Sequence, residues 1–455
     1  MKLFGWCRDK YRFMGIRAVR RKRVGNGVLF LFLCLIPVLY ISSKIIYIQN
    51  KFARNKNFDT KHIDDDIRNA VRGLSVVHAG PSDKSVVILA SEIYDVGGHT
   101  ECIKNIILSW PNDWKTAIFF TRLTTSQHDA AYNFDFLSQR AHVSGIDFKG
   151  MFLYKRKLYS AYKQIIAMCP RIVLAFTHPD DVFGAMLLCM LQKSGIKILF
   201  YNHMSHSATL GMSFADLILE GTATTAEITR VQRGFNNTAV VGLPYLPLRC
   251  LPKFSDDDIS GMRQKLGAGP DNILTISGAD VNKFFDMDNN TSPYFEMIRT
   301  LLERNPNMRH VMLTDKLNIT QQNILHSIFE KTDVGQRLHI IPRTPDYKII
   351  FKCADVFIDS FPVSSALTQI DLISLGVANV IKINRENPMW TFHEYMPENY
   401  PFAFDNVPDM INGIEKLMYD EKLRHEIAES NYQFFIDNYE GTKWCKKLLG
   451  LMNDK

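Results

Sequence analysis

Residues 353–380 read CADVFIDSFPVSSALTQIDLISLGVANV. A short apolar run, Val356 to Ile358, leads into Asp359, then into a Ser/Thr-bearing turn, then into a stretch with helical patterning that carries Asp371 in its first turns. A helix start offers N–H groups with no intrahelical acceptor and the positive end of the helix dipole, which together suit a pyrophosphate. A carboxylate slightly further along can accept hydrogen bonds from a ribose. In a parallel α/β sheet such a unit places its ligand at the carboxyl ends of the strands, so the stretch reads as a nucleotide-sugar site. An ordinary strand–loop–helix unit carries the same pattern.

Working outward, short apolar runs alternate with amphipathic stretches from residue 85 onward, the signature of α/β units. SVVILA (85–90), TAIFF (116–120), RIVLAF (171–176), KILFY (197–201) and ADLILE (215–220) predict strands. Helices are expected from Thr100 and over 151–168 and 182–193. The proline-rich run VVGLPYLPLRCLP (240–252) interrupts the series, since proline suits neither helix interior nor central strand. A second series follows, with strands at 272–278, 310–314, 338–342, 355–359 and 379–383, a helix at 292–306 and helix-rich residues from 408. The pattern predicts two Rossmann-like α/β domains facing a cleft, at 85–245 and 266–430, joined by a linker at 246–265 and closed by a C-terminal helix at 431–455.

The N-terminus has a different character. Residues 28–48, VLFLFLCLIPVLYISSKIIYI, are long and apolar enough to span a bilayer as a helix. The preceding arm, 1–27, holds nine Lys and Arg (Lys2, Arg8, Lys10, Arg12, Arg17, Arg20, Arg21, Lys22, Arg23) against Asp9 alone, which accounts for the whole net charge of +7 and leaves the remainder close to neutral. The expectation is an uncleaved single-pass anchor with its N-terminus in the cytosol and a polar stalk at 49–84. A Golgi type II protein and a bacterial inner-membrane protein both fit. Sequons at Asn236, Asn289, Asn290 and Asn318 permit a luminal location. A composition 22% charged and 46% hydrophobic is that of a globular chain, and without the basic arm no basic stripe with interleaved aromatics points to nucleic acid. Eight scattered cysteines with no CxxC or Cys/His spacing predict neither a disulfide framework nor a metal site.

Four stretches together resemble the catalytic region of the O-linked N-acetylglucosamine transferase family and its bacterial relatives, within the GT-B glycosyltransferases. They are 277–313 (beginning SGADVNKFF), 338–377 (beginning LHIIPRTPDYK), 198–221 (ILFYNHMSHSATLGMSFADLILEG) and 91–103 (SEIYDVGGHTECI). The family's tetratricopeptide helices have no counterpart here. The resemblance implies a hexosyl- or N-acetylhexosaminyltransferase that uses a UDP-sugar donor and a glycan, lipid-linked or protein acceptor, with no cofactor. Lys283 would meet the donor diphosphate, Ser364, Ser365 and Thr368 its phosphate oxygens, Asp371 the ribose, and Thr344 and Pro345 the uracil. The family's phosphate-loop histidine stands here as Ala366 and its uracil-side lysine as Asp346, so phosphate binding could be weaker and the base need not be uracil.

An inverting transfer needs a base for the acceptor hydroxyl. His99 follows Gly97-Gly98 at a strand-to-helix turn and is the first candidate. His203 and His206 follow, with Asn202 and Ser207 as acceptor-side neighbours and His178 behind them. The position eight before Asp371 is Val363, so the E-x7-E pair of retaining GT-B enzymes is absent and inversion is expected. Two other functions suit the same fold: a non-hydrolysing nucleotide-sugar epimerase, and an inert glycan-binding scaffold.

Overall fold

The computed structural model describes residues 58–78, 80, 84–95, 97–147 and 154–453. The basic arm, the expected anchor at 28–48 and the first part of the stalk lie outside the described residues. Among the described residues no helix is long and apolar enough to cross a membrane. The chain forms two compact units that divide between Val241 and Gly242.

The first unit is built on seven parallel strands: β1 (Ser85–Ala90), β2 (Lys115–Phe120), β3 (His142–Gly145), β4 (Ile172–Phe176), β5 (Lys197–Tyr201), β6 (Leu217–Glu220) and β7 (Thr238–Val240). Their order in the sheet is β3-β2-β1-β4-β5-β6-β7. The central strands are apolar throughout because helices cover both faces of such a sheet, and every residue of β1 and β4 is buried. The run of strands turns back between β1 and β4, which pair in register from Val86↔Ile172 to Ala90↔Phe176. That reversal opens a crevice at their carboxyl ends.

The second unit repeats the plan with six parallel strands, β8 (Ile273–Gly278), β9 (Met308–Thr314), β10 (Leu338–Pro342), β11 (Val356–Ile358), β12 (Asn379–Lys382) and β13 (Ala403–Phe404), in the order β10-β9-β8-β11-β12-β13. Its reversal lies between β8 and β11.

Three expectations from the sequence change here. Residues 58–78, within the expected stalk, are not a free stalk. The helix Lys61–Ala70 buries Ile63 and Ile67 in the first unit's core, and the buried Asp64 accepts hydrogen bonds from the Gly211 and Ser213 N–H groups. Residues 246–265 are not a bare linker. Ser255 caps a helix over Asp256–Lys265, whose Arg263 pairs with Asp355 at 3.1 Å and donates to the Cys353 carbonyl. The C-terminal stretch holds two helices, Glu421–Asn438 and Gly441–Asn453. The edge strands β3, β7 and β13 had no apolar run to announce them, because an edge strand is buried less and needs fewer apolar residues.

Candidate functional site

In the second unit, β8 and β11 deliver the loops that flank the reversal. After β11 the buried Asp359 accepts from the Ser365 N–H at 3.1 Å, from the Ser364 and Ser365 hydroxyls, and from Gln369 Nε2 at 2.9 Å. This carboxylate knots the turn that opens the helix Ala366–Ser374. Ser364 and Ser365 were expected to donate to phosphate. In the structure both hydroxyl protons point to Asp359, so the groups left for a phosphate are the first-turn N–H groups of Ala366, Leu367 and Thr368. The Thr368 hydroxyl makes no hydrogen bond among the described residues.

After β8, a short turn over Val281–Phe284, capped by Asp280, carries Lys283. Its Nζ donates to the Ser364 carbonyl at 2.9 Å, and the Val363 N–H donates to the Lys283 carbonyl at 3.4 Å. Lysine and helix start thus meet across the reversal although 81 residues separate Lys283 from Ser364. Burial pushes the Lys283 ammonium below its ordinary pKa, and the neighbouring Asp359 and Asp280 carboxylates oppose that shift. Arg343, just past β10, lies close enough to Lys283 to disfavour its charge, and pairs with Asp315 at 2.7 Å and Asp280 at 3.8 Å. Sequence reasoning passed over this second cation, and its position immediately after a strand in IIPRTPDY was the available signal.

Asp371 lies further along the same helix. One oxygen, Oδ1, accepts from the Tyr245 hydroxyl and, at 3.3 Å, from the Tyr347 hydroxyl. Lys348 Nζ stands 3.7 Å away and over the Tyr245 ring. Thr344 and Pro345 form the turn after β10. Thr344 accepts the Tyr347 N–H at 3.3 Å through its carbonyl and the Asp346 N–H through its hydroxyl. The expected uracil-side turn and the expected ribose carboxylate are therefore joined through Tyr347. Nothing in the sequence singled out Tyr245, Tyr347 or Lys348.

In the first unit the crevice collects histidines. Gly97 precedes the helix Gly98–Ser109 at φ +149°, a backbone conformation that residues with a side chain rarely adopt. That entry sets His99 in the first helical turn, where its Nε2 meets the Phe176 carbonyl at 3.1 Å. Carbonyls only accept, so Nε2 carries the proton and Nδ1 keeps a lone pair, and Nδ1 is buried with no hydrogen-bond partner. His203, just past β5, lies beside it with ring centroids 4.4 Å apart. His178, just past β4, completes the group, its ring between the Tyr94 hydroxyl (3.2 Å) and the Glu92 carboxylate (3.5 Å). Burial depresses His99 to about 4, and burial, with the neighbouring His99 and His178, holds His203 well below the ordinary imidazole value. His99 and His203 are accordingly neutral at physiological pH.

Asp181 braces this edge of the sheet. Its carboxylate accepts from Ser91 after β1 (2.5 Å), Thr121 after β2 (2.6 Å) and the Gly184 N–H of the following helix (2.8 Å). Ser91 in turn accepts the His178 N–H. Of the expected residues, His99 and His203 come together with His178, while His206 is exposed and outside the group. Asn202 is buried and donates to Glu220 at 2.9 Å. The buried Ser207 offers its carbonyl to Arg233 at 3.0 Å.

Two all-parallel sheets, each with polar groups gathered at its own reversal, describe a GT-B-type α/β protein. The chain is similar in fold to the Anabaena protein HepE in complex with UDP and glucose (TM-score 0.63, 14% identity, 81% of this chain and 100% of that one). It is also similar to the Thermobaculum terrenum O-GlcNAc transferase (TM-score 0.57, 12% identity, 97% and 82%). A third likeness is to the Neisseria meningitidis UDP-GlcNAc 2-epimerase bound to UDP-GlcNAc (TM-score 0.52, 11% identity, 82% and 100%). No family model and no curated protein matches the chain. The GT-B fold expected from the sequence is the fold found, with glycosyltransferases and an epimerase among its relatives in structure.

Proposed function

We propose that this chain is a glycosyltransferase that moves a sugar from a UDP-sugar donor to a hydroxyl of a glycan, lipid-linked or protein acceptor, inverting the anomeric carbon. The observation that carries this reading is the 2.9 Å contact of Lys283 Nζ with the Ser364 carbonyl, at the start of the helix Ala366–Ser374. It sets an ammonium and a helix N-terminus on the same side of one sheet, where a leaving diphosphate gains charge. Arg343 adds positive charge, Thr368 offers a hydroxyl, and Asp371 with Tyr347 would hold the nucleoside. As the acceptor oxygen bonds to the anomeric carbon, the carbon–oxygen bond to the diphosphate breaks. The hydroxyl proton passes to a base, and His99 Nδ1, whose lone pair is uncommitted, is the candidate for that role. Residues 28–48 would hold the protein at a membrane.

The likeness to a UDP-GlcNAc 2-epimerase supports a second reading, interconversion of the donor itself. Incubation of the purified protein with a panel of nucleotide sugars, with and without membrane extracts as acceptor, tests both. Acceptor-dependent release of UDP, with a product anomer opposite to the donor's, supports the transferase. Acceptor-independent appearance of an epimeric sugar supports the epimerase. No UDP binding at all would overturn both and leave an inert scaffold.

A further inference from the structure

The three-histidine group at the carboxyl edge of the first sheet is chemically unusual in a way that proton transfer does not use up. His99, His178 and His203 each present one ring nitrogen, and these atoms lie within 4.8 Å of one another. They come from the ends of three adjacent elements, the helix entry after β1 and the loops after β4 and β5, whose strands are almost wholly buried. Nδ1 of His99 and both ring nitrogens of His203 are out of solvent contact and lack any hydrogen-bond partner. Buried polar nitrogens are nearly always satisfied, so several bare ones converging on a point indicate a missing partner. One proton acceptor role accounts for one of these nitrogens and leaves the others unexplained.

We infer that His99, His178 and His203 form a binding site for a single divalent transition-metal ion, with Zn2+ as the ion best suited to it. Neutral imidazole is a preferred ligand of Zn2+, and three protein ligands is the number found in zinc sites that keep a coordination position for water or substrate. The surroundings match those of ligating histidines, whose other nitrogen is held by a carbonyl or carboxylate. The Phe176 carbonyl holds His99 in the tautomer with Nδ1 as donor atom; His178 has Glu92 3.5 Å from Nδ1 and the Tyr94 hydroxyl 3.2 Å from Nε2, so an ion bound through Nε2 displaces the Tyr94 contact. With Zn–N bonds of about 2.05 Å, tetrahedral ligand nitrogens stand about 3.3 Å apart, so each ring would swing inward by less than about 1 Å. No Cys/His spacing in the sequence announces the site, because its members lie 79 and 25 residues apart (178 − 99 and 203 − 178) and only the strand order joins them.

This inference goes beyond the transferase reading and competes with it at one atom, since Nδ1 of His99 cannot both take a proton and ligate an ion. The two fail separately: UDP binding tests the second unit, which contributes none of the three histidines, and metal binding tests the first. The full chain, stripped with a chelator, is titrated with Zn2+ against a chromophoric competitor and, separately, with Co2+. We expect one equivalent bound per chain, intense visible Co2+ bands of a four- or five-coordinate site, and at least tenfold weaker binding in His203→Ala and in His178→Ala. His326→Ala, at an exposed position on a helix of the second unit, leaves the affinity unchanged. X-ray absorption of the Zn2+-loaded natural protein should show three imidazole ligands, a measurement that needs no variant to fold. Absence of stoichiometric binding, octahedral Co2+ spectra without imidazole scattering, or an affinity indifferent to His203 and His178 would each overturn the site.

Discussion

Removing the Lys283 ammonium by Lys283→Met keeps most of the side chain's apolar length and deletes its charge. In the structure that charge is half-buried, donates to the Ser364 carbonyl at 2.9 Å, and faces Asp359. A diphosphate bound at the helix N-terminus would gain a charge-assisted hydrogen bond in a desolvated place. Truncating one partner of such a pair costs about 2–5 kcal/mol. Arg343 and the first-turn N–H groups remain, which places the loss near the lower end, at about 2–3 kcal/mol or roughly 30- to 150-fold in Kd. The assay is calorimetric titration with UDP and, in parallel, with uridine. Uridine has no phosphate, so its weak affinity should change by less than about twofold while UDP loses the full factor. The variant leaves Asp359 without its cation, and a carboxyl already raised by burial should take up a proton more readily. A fall of a few degrees in Tm is therefore expected, and Lys283→Arg should recover part of both losses. A folded Lys283→Met that binds UDP within twofold of the natural chain, or that loses uridine equally, would refute the assignment of the diphosphate to this lysine.

Other perturbations read other parts of the structure. Asp371→Asn should weaken UDP and uridine alike, because the change sits by Tyr245 and Tyr347 and not at the helix start; an effect confined to UDP in the titration would contradict this. Asp64→Ala strips the buried Gly211 N–H and the Ser213 hydroxyl and N–H of their acceptor, and should cost about 2–4 kcal/mol in urea unfolding. His310 is fully buried between Thr275 and Tyr294, and burial depresses it to about 3. The unfolded chain takes up that proton below about 6.5 and the folded chain does not, so this stability is complete above 6.5 and is lost as pH falls toward 3. Between pH 7.5 and 5 the loss should be about 2 kcal/mol, and His310→Gln should show a shallower pH dependence by that amount. Asp64, raised by burial to about 6, acts oppositely, because the folded state binds its proton first and gains stability as pH falls through 6 toward 3.8. The subtraction is for that reason made variant by variant.

Local pattern carried much of this protein. The buried strands β1, β4, β5 and β8 announce themselves as unbroken apolar runs, because a parallel sheet covered on both faces tolerates little else. The apolar strand, Asp359 and serine turn marked the strand-to-helix crossover that the structure shows, since a turn closed by a carboxylate six residues away is a local event. Asp371 is legible in that strand–turn–helix pattern, whereas Lys283 is named only through the family resemblance. What such reading could not supply is what each group meets. Tyr245 reaches Asp371 across 126 residues, and Lys283 reaches Ser364 across 81, because the order β10-β9-β8-β11-β12-β13 sets β8 beside β11. The same holds for His178, which ranked last among the candidate histidines yet lies with His99 and His203, because β4 pairs with both β1 and β5. Strand order is decided by how whole amphipathic units pack against one another. That is a property of the assembled sheet, so no single segment encodes which side chains converge at its edge.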